Sequence, residues 1–94
     1  MSKRQAYEDR LEAELDGWRA DIDKLKAKAD KADAEARIKY HEQIDELEKR
    51  RATIEQQLGE LKTASDAAWG DIKSGAEKTR RAMSEALKSA ASRF

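Results

Sequence analysis

Ninety-four residues carry 20 basic and 20 acidic side chains, no Cys, no Pro and a 38% hydrophobic fraction that is nearly half Ala. The balanced charge lacks the positive footprint that phosphate backbones attract, so no nucleic-acid partner is expected. Without Cys there is no disulfide, thiolate nucleophile or Cys-based metal site, and no run approaches the apolar length of a membrane span.

Val and Asn are also missing, and Gly occurs only 4 times, so strands and turns have little vocabulary here. Ala, Leu, Glu, Lys, Arg and Gln, the strongest helix formers, make up most of the chain. The fold class expected is therefore all-α. Low hydropathy and high charge also suit disorder, but the apolar residues are ordered along the chain in a helical pattern. They are few beside the charged residues, and a lone chain has little apolar area to bury. Burial against a second copy or a protein partner is expected.

Ser2 with Gln5 reads as a capping box at the start of a helix. From Tyr7 the apolar stripe steps through Leu11, Leu15, Trp18, Ile22, Leu25, Ala29, Ala32 and Ala36, alternating spacings of 4 and 3 after the first. This is a heptad seam. Two steps of 4 follow, through Tyr40 and Ile44, before Leu47, Arg51, Ile54, Leu58 and Leu61 resume the heptad. Acid-before-base pairs at four-residue spacing (Asp33 and Arg37, Glu35 and Lys39, Asp45 and Lys49, Glu46 and Arg50, Glu77 and Arg81) each support an exposed helix by about 0.2–0.5 kcal/mol.

Gly59, the Thr63-Ala64-Ser65-Asp66 run and Gly70 form the one cluster of weak helix formers, so a bend near 62–67 is expected within a single helical domain spanning 1–94. The chain then reads as one long amphipathic helix or an unequal helical hairpin, with arms of roughly 90 and 42 Å, forming a coiled-coil assembly. A hairpin leaves half of the first arm's stripe uncovered. Either the protein oligomerises or the first arm bends again in the Ala-rich stretch 27–36, where a thin coiled-coil section with close helix approach is the favoured expectation.

Beyond the bend the spacing becomes 4, 4, 3, through Ala68, Ile72, Ala76, Thr79, Met83, Leu87, Ala90 and Phe94. This eleven-residue period favours a straight or slightly right-handed helix. Ser74 with Glu77 resembles a second capping box but lies inside the stripe, which makes it incidental. Residues 67–94 hold six Lys or Arg against three Asp or Glu. With Trp69, that is the profile of a helix able to lie on an anionic membrane, weakened by its Ala-dominated face.

The opening Met1-Ser2-Lys3-Arg4-Gln5-Ala6-Tyr7-Glu8, the Leu25-Lys26-Ala27-Lys28-Ala29-Asp30-Lys31-Ala32 segment, the Ala64-Ser65-Asp66-Ala67-Ala68-Trp69 segment and the ending Leu87-Lys88-Ser89-Ala90-Ala91-Ser92-Arg93-Phe94 resemble a group of small bacterial coiled-coil proteins. These are generally described as hydrophilic stress-response proteins without a defined biochemical activity. The resemblance runs over nearly the whole chain, with the ending its most distinctive part. It implies a cytoplasmic bacterial protein linked to stress, and it carries over no catalytic residues.

Residue chemistry adds little. His41, the only imidazole, sits one helical turn from Asp45, but a structural zinc site wants four N or S ligands, so a solvated histidine is expected and no metal. Carboxylates abound, yet acid–base catalysis needs a shifted group in a cleft. No Gly-rich phosphate loop or nucleophile turn appears, so neither catalytic residues nor a cofactor is expected. Trp18 lies on the seam and should pack there; Trp69, beside Ala68, should pack at the stripe's edge. Arg51 interrupts the seam, either lying along apolar surface with its head in water or fixing register. The N-terminus is too charged for a signal peptide, and cytoplasmic residence is expected. The function expected is a non-enzymatic structural or stress-protective coiled coil that self-associates through the seam. A reversible membrane-surface helix and an adaptor docking a helical partner are the alternatives.

Overall fold

In a computed structural model that describes residues 2–93, helix α1 (Lys3–Asp30) begins at its sequence-marked cap. The Ser2 hydroxyl accepts a hydrogen bond from the Gln5 N–H at 3.1 Å. α1 closes at Lys31, whose N–H donates back to the Lys28 carbonyl. Asp33 then caps α2 (Ala34–Thr63), its carboxylate accepting from the Ala36 N–H at 2.9 Å. Ser65 does the same for α3 (Asp66–Arg93) by accepting from the Ala68 N–H at 3.2 Å. Each cap satisfies an amide that a helix start leaves without a partner. The chain is all-α, with no strand among the described residues.

The hairpin packing read from the sequence occurs twice, α1 against α2 and α2 against α3. The second reversal, at Ala64 and Ser65, falls inside the 62–67 window. α3 runs unbroken through Ser74 and Glu77. The Ala-rich stretch 27–36, by contrast, is not a thin coiled-coil section: the helix stops at Asp30 and restarts at Ala34. A straight first arm would leave Leu11, Leu15, Trp18, Ile22 and Leu25 uncovered, whereas a reversal here lays Tyr40, Ile44, Leu47, Ile54, Leu58 and Leu61 over them. The seam at this point is Ala alone, so interrupting it sacrifices the least apolar area, and the Asp33 cap offsets about 1 kcal/mol of the break. The arms consequently come out at 28, 30 and 28 residues rather than markedly unequal.

Ion pairs fix the directions. Glu12 meets Lys62 and Lys26 meets Glu48, so α2 runs antiparallel to α1. Glu8 meets Trp69 and Glu14 meets Arg80, so α3 runs parallel to α1. Three helices of about 42–45 Å make an up-down-up bundle measuring 50 × 20 × 19 Å. α1 and α2 supply the large core side chains, whereas α3 fully inserts only Ala76, Met83 and Ala90.

Candidate functional site: the seam and a polar latch

The stripe read as a self-association seam lies inside one chain. Leu11, Leu15, Trp18, Ile22, Leu25, Ala29, Tyr40, Ile44, Leu47, Ile54, Leu58, Leu61, Ala76 and Met83 are buried. Ala32, Ala36, Ala68, Ile72 and Leu87 are part-buried. In the closed bundle the seam therefore faces the chain's own helices. Among the described residues Ile38, off the stripe, is the exposed large hydrophobic side chain, at 62%.

Arg51 interrupts the seam and reaches α1 rather than water. Its Nε donates to the Leu15 carbonyl at 3.0 Å and its Nη1 pairs with Glu55 at 3.2 Å. A guanidinium on a mid-helix carbonyl ties α2 to α1 at one longitudinal position, the register role that a polar seam residue can play.

Toward the N-terminal end of α1, α1 and α3 meet through a polar cluster built around Trp69. The indole N–H donates to Glu8 Oε2 at 3.1 Å, and the Tyr7 ring stands edge-on to it at 5.7 Å. The Lys73 ammonium lies 5.0 Å from the Tyr7 ring and 5.6 Å from Trp69, with the Arg4 guanidinium 5.8 Å from Trp69, which are cation–π distances. One turn further along, the Tyr7 hydroxyl donates to Glu77 Oε1 at 2.5 Å. Arg80 then grips Glu14 with two N–H groups at 2.6 and 2.7 Å, the fork geometry that suits a carboxylate. Arg4 finishes this end of α2: its Nη2 donates to the Leu61 and Ala64 carbonyls at 2.8 and 2.6 Å, and its Nη1 pairs with Asp66. A cation on the terminal carbonyls of a helix complements the macrodipole there.

These contacts shift the groups involved. Burial, then the bond to Glu77, pushes the Tyr7 phenol well above its ordinary range. The bond from Tyr7 holds the Glu77 carboxyl below its usual value, with Arg80 adding to the effect. The two hydrogen bonds to Glu14 raise Arg80. A phenol held neutral and the Glu77 carboxylate held ionised make good hydrogen-bond partners, and the arrangement acts as a latch that fixes α3 against α1.

The α2–α3 contact is less well satisfied. Gln57 Nε2 donates to the Thr79 hydroxyl at 3.2 Å while its Oε1 has no partner. Of the sequence-marked ion pairs, Glu46 and Arg50 form at 3.0 Å. Asp33 serves as a cap instead, and Glu77 turns to Tyr7 and Arg80. Trp18 is buried on the seam, and Trp69 packs at its edge within the latch. His41 is exposed on α2, and no group of three or more metal-ligating side chains occurs among the described residues. No helix is long and apolar enough to cross a membrane among them.

The latch is what sequence reasoning missed. Its faint signal is that Trp69, Lys73, Glu77 and Arg80 repeat the 4, 4, 3 spacing one position beside Ala68, Ile72, Ala76 and Thr79. Comparison of the chain with protein-family models, curated proteins and solved structures gives no match.

Proposed function

We propose that this is a non-enzymatic structural or stress-protective protein that acts by self-association through its apolar seam, as a cytoplasmic protein of bacteria. The observation that carries the reading is the asymmetry of the bundle. α1 and α2 contribute most of the large buried side chains, while α3 fully buries only two Ala and one Met and adds Trp69, Ile72, Ala86 and Leu87 part-buried. Helices held in this way exchange partners readily, because an amphipathic helix gains most of its stability from whatever packs on its apolar face. The same stripe that closes on itself in one chain fits the stripe of another copy. The two grooves between α1 and α2 that Arg51 lines are open and bordered largely by charged side chains, unlike the enclosed, desolvated sites that reacting groups use.

A second reading has its own observation. Leu25, Leu87 and Ala91 line a groove between α1 and α3 together with Lys24, Lys28, Lys88 and Asp21, and the three Lys against one Asp suit an anionic membrane surface. An adaptor role, with a partner helix laid against the seam, uses the same exchange of contacts.

Sedimentation equilibrium with and without anionic vesicles separates the readings. Self-association gives concentration-dependent mass that vesicles leave unchanged; the membrane reading gives a monomer that pellets with vesicles. The protective role is tested by the aggregation of a heat-denatured client enzyme, which the wild type should suppress. A bundle whose α1 and α2 are cross-linked within one chain through cysteines at Glu12 and Lys62, a pair 3.7 Å apart, should not; equal suppression by the cross-linked form would remove the seam from the explanation.

A further inference from the structure

We infer that residues 31–33 are a convertible hinge, and that the partner of this chain is a second copy with which it exchanges α1, the two helices α1 and α2 of each copy fusing into one. The inference rests on the self-association reading above and gives it a geometry.

What holds the hinge as a turn is the Asp33 cap and a hydrogen bond from Arg37 Nη2 to the Ala32 carbonyl at 3.1 Å, both replaceable in a continuous helix. The hinge residues are Lys31, Ala32 and Asp33, all compatible with a helix interior, with no Gly or Pro among them. No non-Gly residue among the described residues has a positive φ. Lys31 is already in the right-handed helical region, with φ −95° and ψ −7°; Asp33 at φ −68° and ψ 171° needs chiefly a rotation in ψ to join it. The apolar stripe also continues in phase through the break, since Ala29, Ala32, Ala36 and Tyr40 keep helical spacing. A loop that needed to be a loop would be expected to break that phase.

The contacts between α1 and α2 can be supplied equally by another copy. Lys26–Glu48 and Glu12–Lys62 are each centred on residue 37, and Arg51–Leu15 on residue 33. In an antiparallel pair of straightened chains the same partners meet when the two copies cross at residues 33–37. The seam at that crossing is Ala32 and Ala36, flanked by Ala29, and small side chains there let two helices approach closely. In the closed bundle Ala32 and Ala36 are only part-buried, and the crossing would cover them. This extends the packing of the Ala-rich stretch, which in the closed bundle is complete only at Ala29.

α3 stays with its own α2 and closes over the partner's α1. Tyr7–Glu77, Glu8–Trp69 and Glu14–Arg80 then become bonds between copies, and each copy's Arg4 finishes the partner's α2. The result is two complete bundles end to end, a rod of about 100 Å judged from helix rise. Monomer and dimer share nearly all contacts and differ in the hinge. The monomer keeps the Asp33 cap; the dimer gains continuous helix and loses translational freedom, so concentration sets the balance.

The test exploits the absence of Cys. Lys26→Cys with Glu48→Cys is prepared at high concentration, and monomer and dimer fractions are separated by size. Each fraction is treated with a short bismaleimide spanning the gap that the Lys26–Glu48 pair, 2.7 Å apart, now fills, and run on a denaturing gel. The expected result is a single-chain band from the monomer fraction and a covalently linked pair from the dimer fraction. In parallel, Asp33→Ala should tighten dimerisation by roughly 5- to 30-fold, from loss of one cap at each of two hinges, and Ala32→Gly should weaken it. A dimer fraction that cross-links only within single chains would overturn the exchange and leave self-association by another surface standing. Absence of any dimer up to millimolar concentration, in the wild type and in Asp33→Ala, would overturn both.

Discussion

Shortening Met83 to Ala removes the one large side chain that α3 buries completely among the described residues. Emptying a fully buried Met site costs about 2–5 kcal/mol, the transfer of the lost atoms plus the cavity they leave. The remaining fully buried contributions of α3 are Ala76 and Ala90, supported by half-buried Trp69, Ile72, Ala86 and Leu87. The loss therefore falls on the docking of one helix, with little left to absorb it. For a domain of this length it corresponds to a drop on the order of 10–25 °C in Tm. Circular dichroism gives the Tm, and hydrogen exchange resolved by helix shows where protection is lost. α3 amides should exchange far faster while α1 and α2 keep most of theirs. Leu47→Ala, at a position 1% exposed in the middle helix, should instead lower protection in all three helices. Equal loss across the helices in Met83→Ala, or a Tm unmoved, would refute the account of α3 as the thinly held layer.

The other expectations concern the latch and lipid. Glu77 has its folded-state carboxyl held below the ordinary value of 4.5, so its stabilisation is present above that pH and disappears as pH falls through the folded value; Glu77→Gln should show a shallower acid limb in a stability-versus-pH series. Tyr7 is raised from 10.0, so its contribution is intact below pH 10 and is lost as pH climbs above it; Tyr7→Phe should flatten that alkaline limb. The Arg80–Glu14 pair is about a quarter exposed on each side, so a double-mutant cycle with Arg80→Met and Glu14→Gln should return about 1 kcal/mol of coupling after screening by solvent, and zero coupling would remove it as a determinant of α1–α3 register. In a Trp18→Phe background, anionic vesicles at physiological salt should leave Trp69 emission unmoved, because the indole is already held by Glu8 and Tyr7; a salt-sensitive blue shift would favour the membrane reading.

The parts of this fold that were legible in the chain are those that repeat. Leu11, Leu15, Trp18, Ile22 and Leu25, and then Ile44, Leu47, Ile54, Leu58 and Leu61, recur at heptad spacing, and all are buried. The reversal at Ala64 and Ser65 was marked by a run of weak helix formers. The reversal at 31–33 was not, because Lys31, Ala32 and Asp33 are ordinary helix residues and the stripe passes through them without losing phase; Asp33 as a cap looked the same as Asp33 paired with Arg37. The latch was hidden for another reason. Its partners lie 61 to 70 residues apart in sequence, and among 40 charged side chains any Glu has many candidate Arg partners. Local periodicity reports which face of a helix is inward, and says nothing about which third helix will sit beside it.

The order of these contacts along the chain bears on the order in which the helices can assemble. α2 returns antiparallel from 31–33, so each of its turns meets a turn of α1 that has already been synthesised, beginning beside Ala29 and ending where Arg4 reaches the Leu61 and Ala64 carbonyls. Pairing of this kind zips outward from a short loop and needs little search. Tyr7, Glu8 and Glu14 have to wait for Glu77, Trp69 and Arg80, which follow them by 61 to 70 residues. The α1–α2 hairpin taken alone therefore has one bare flank, and the flank is covered only when α3 docks on it.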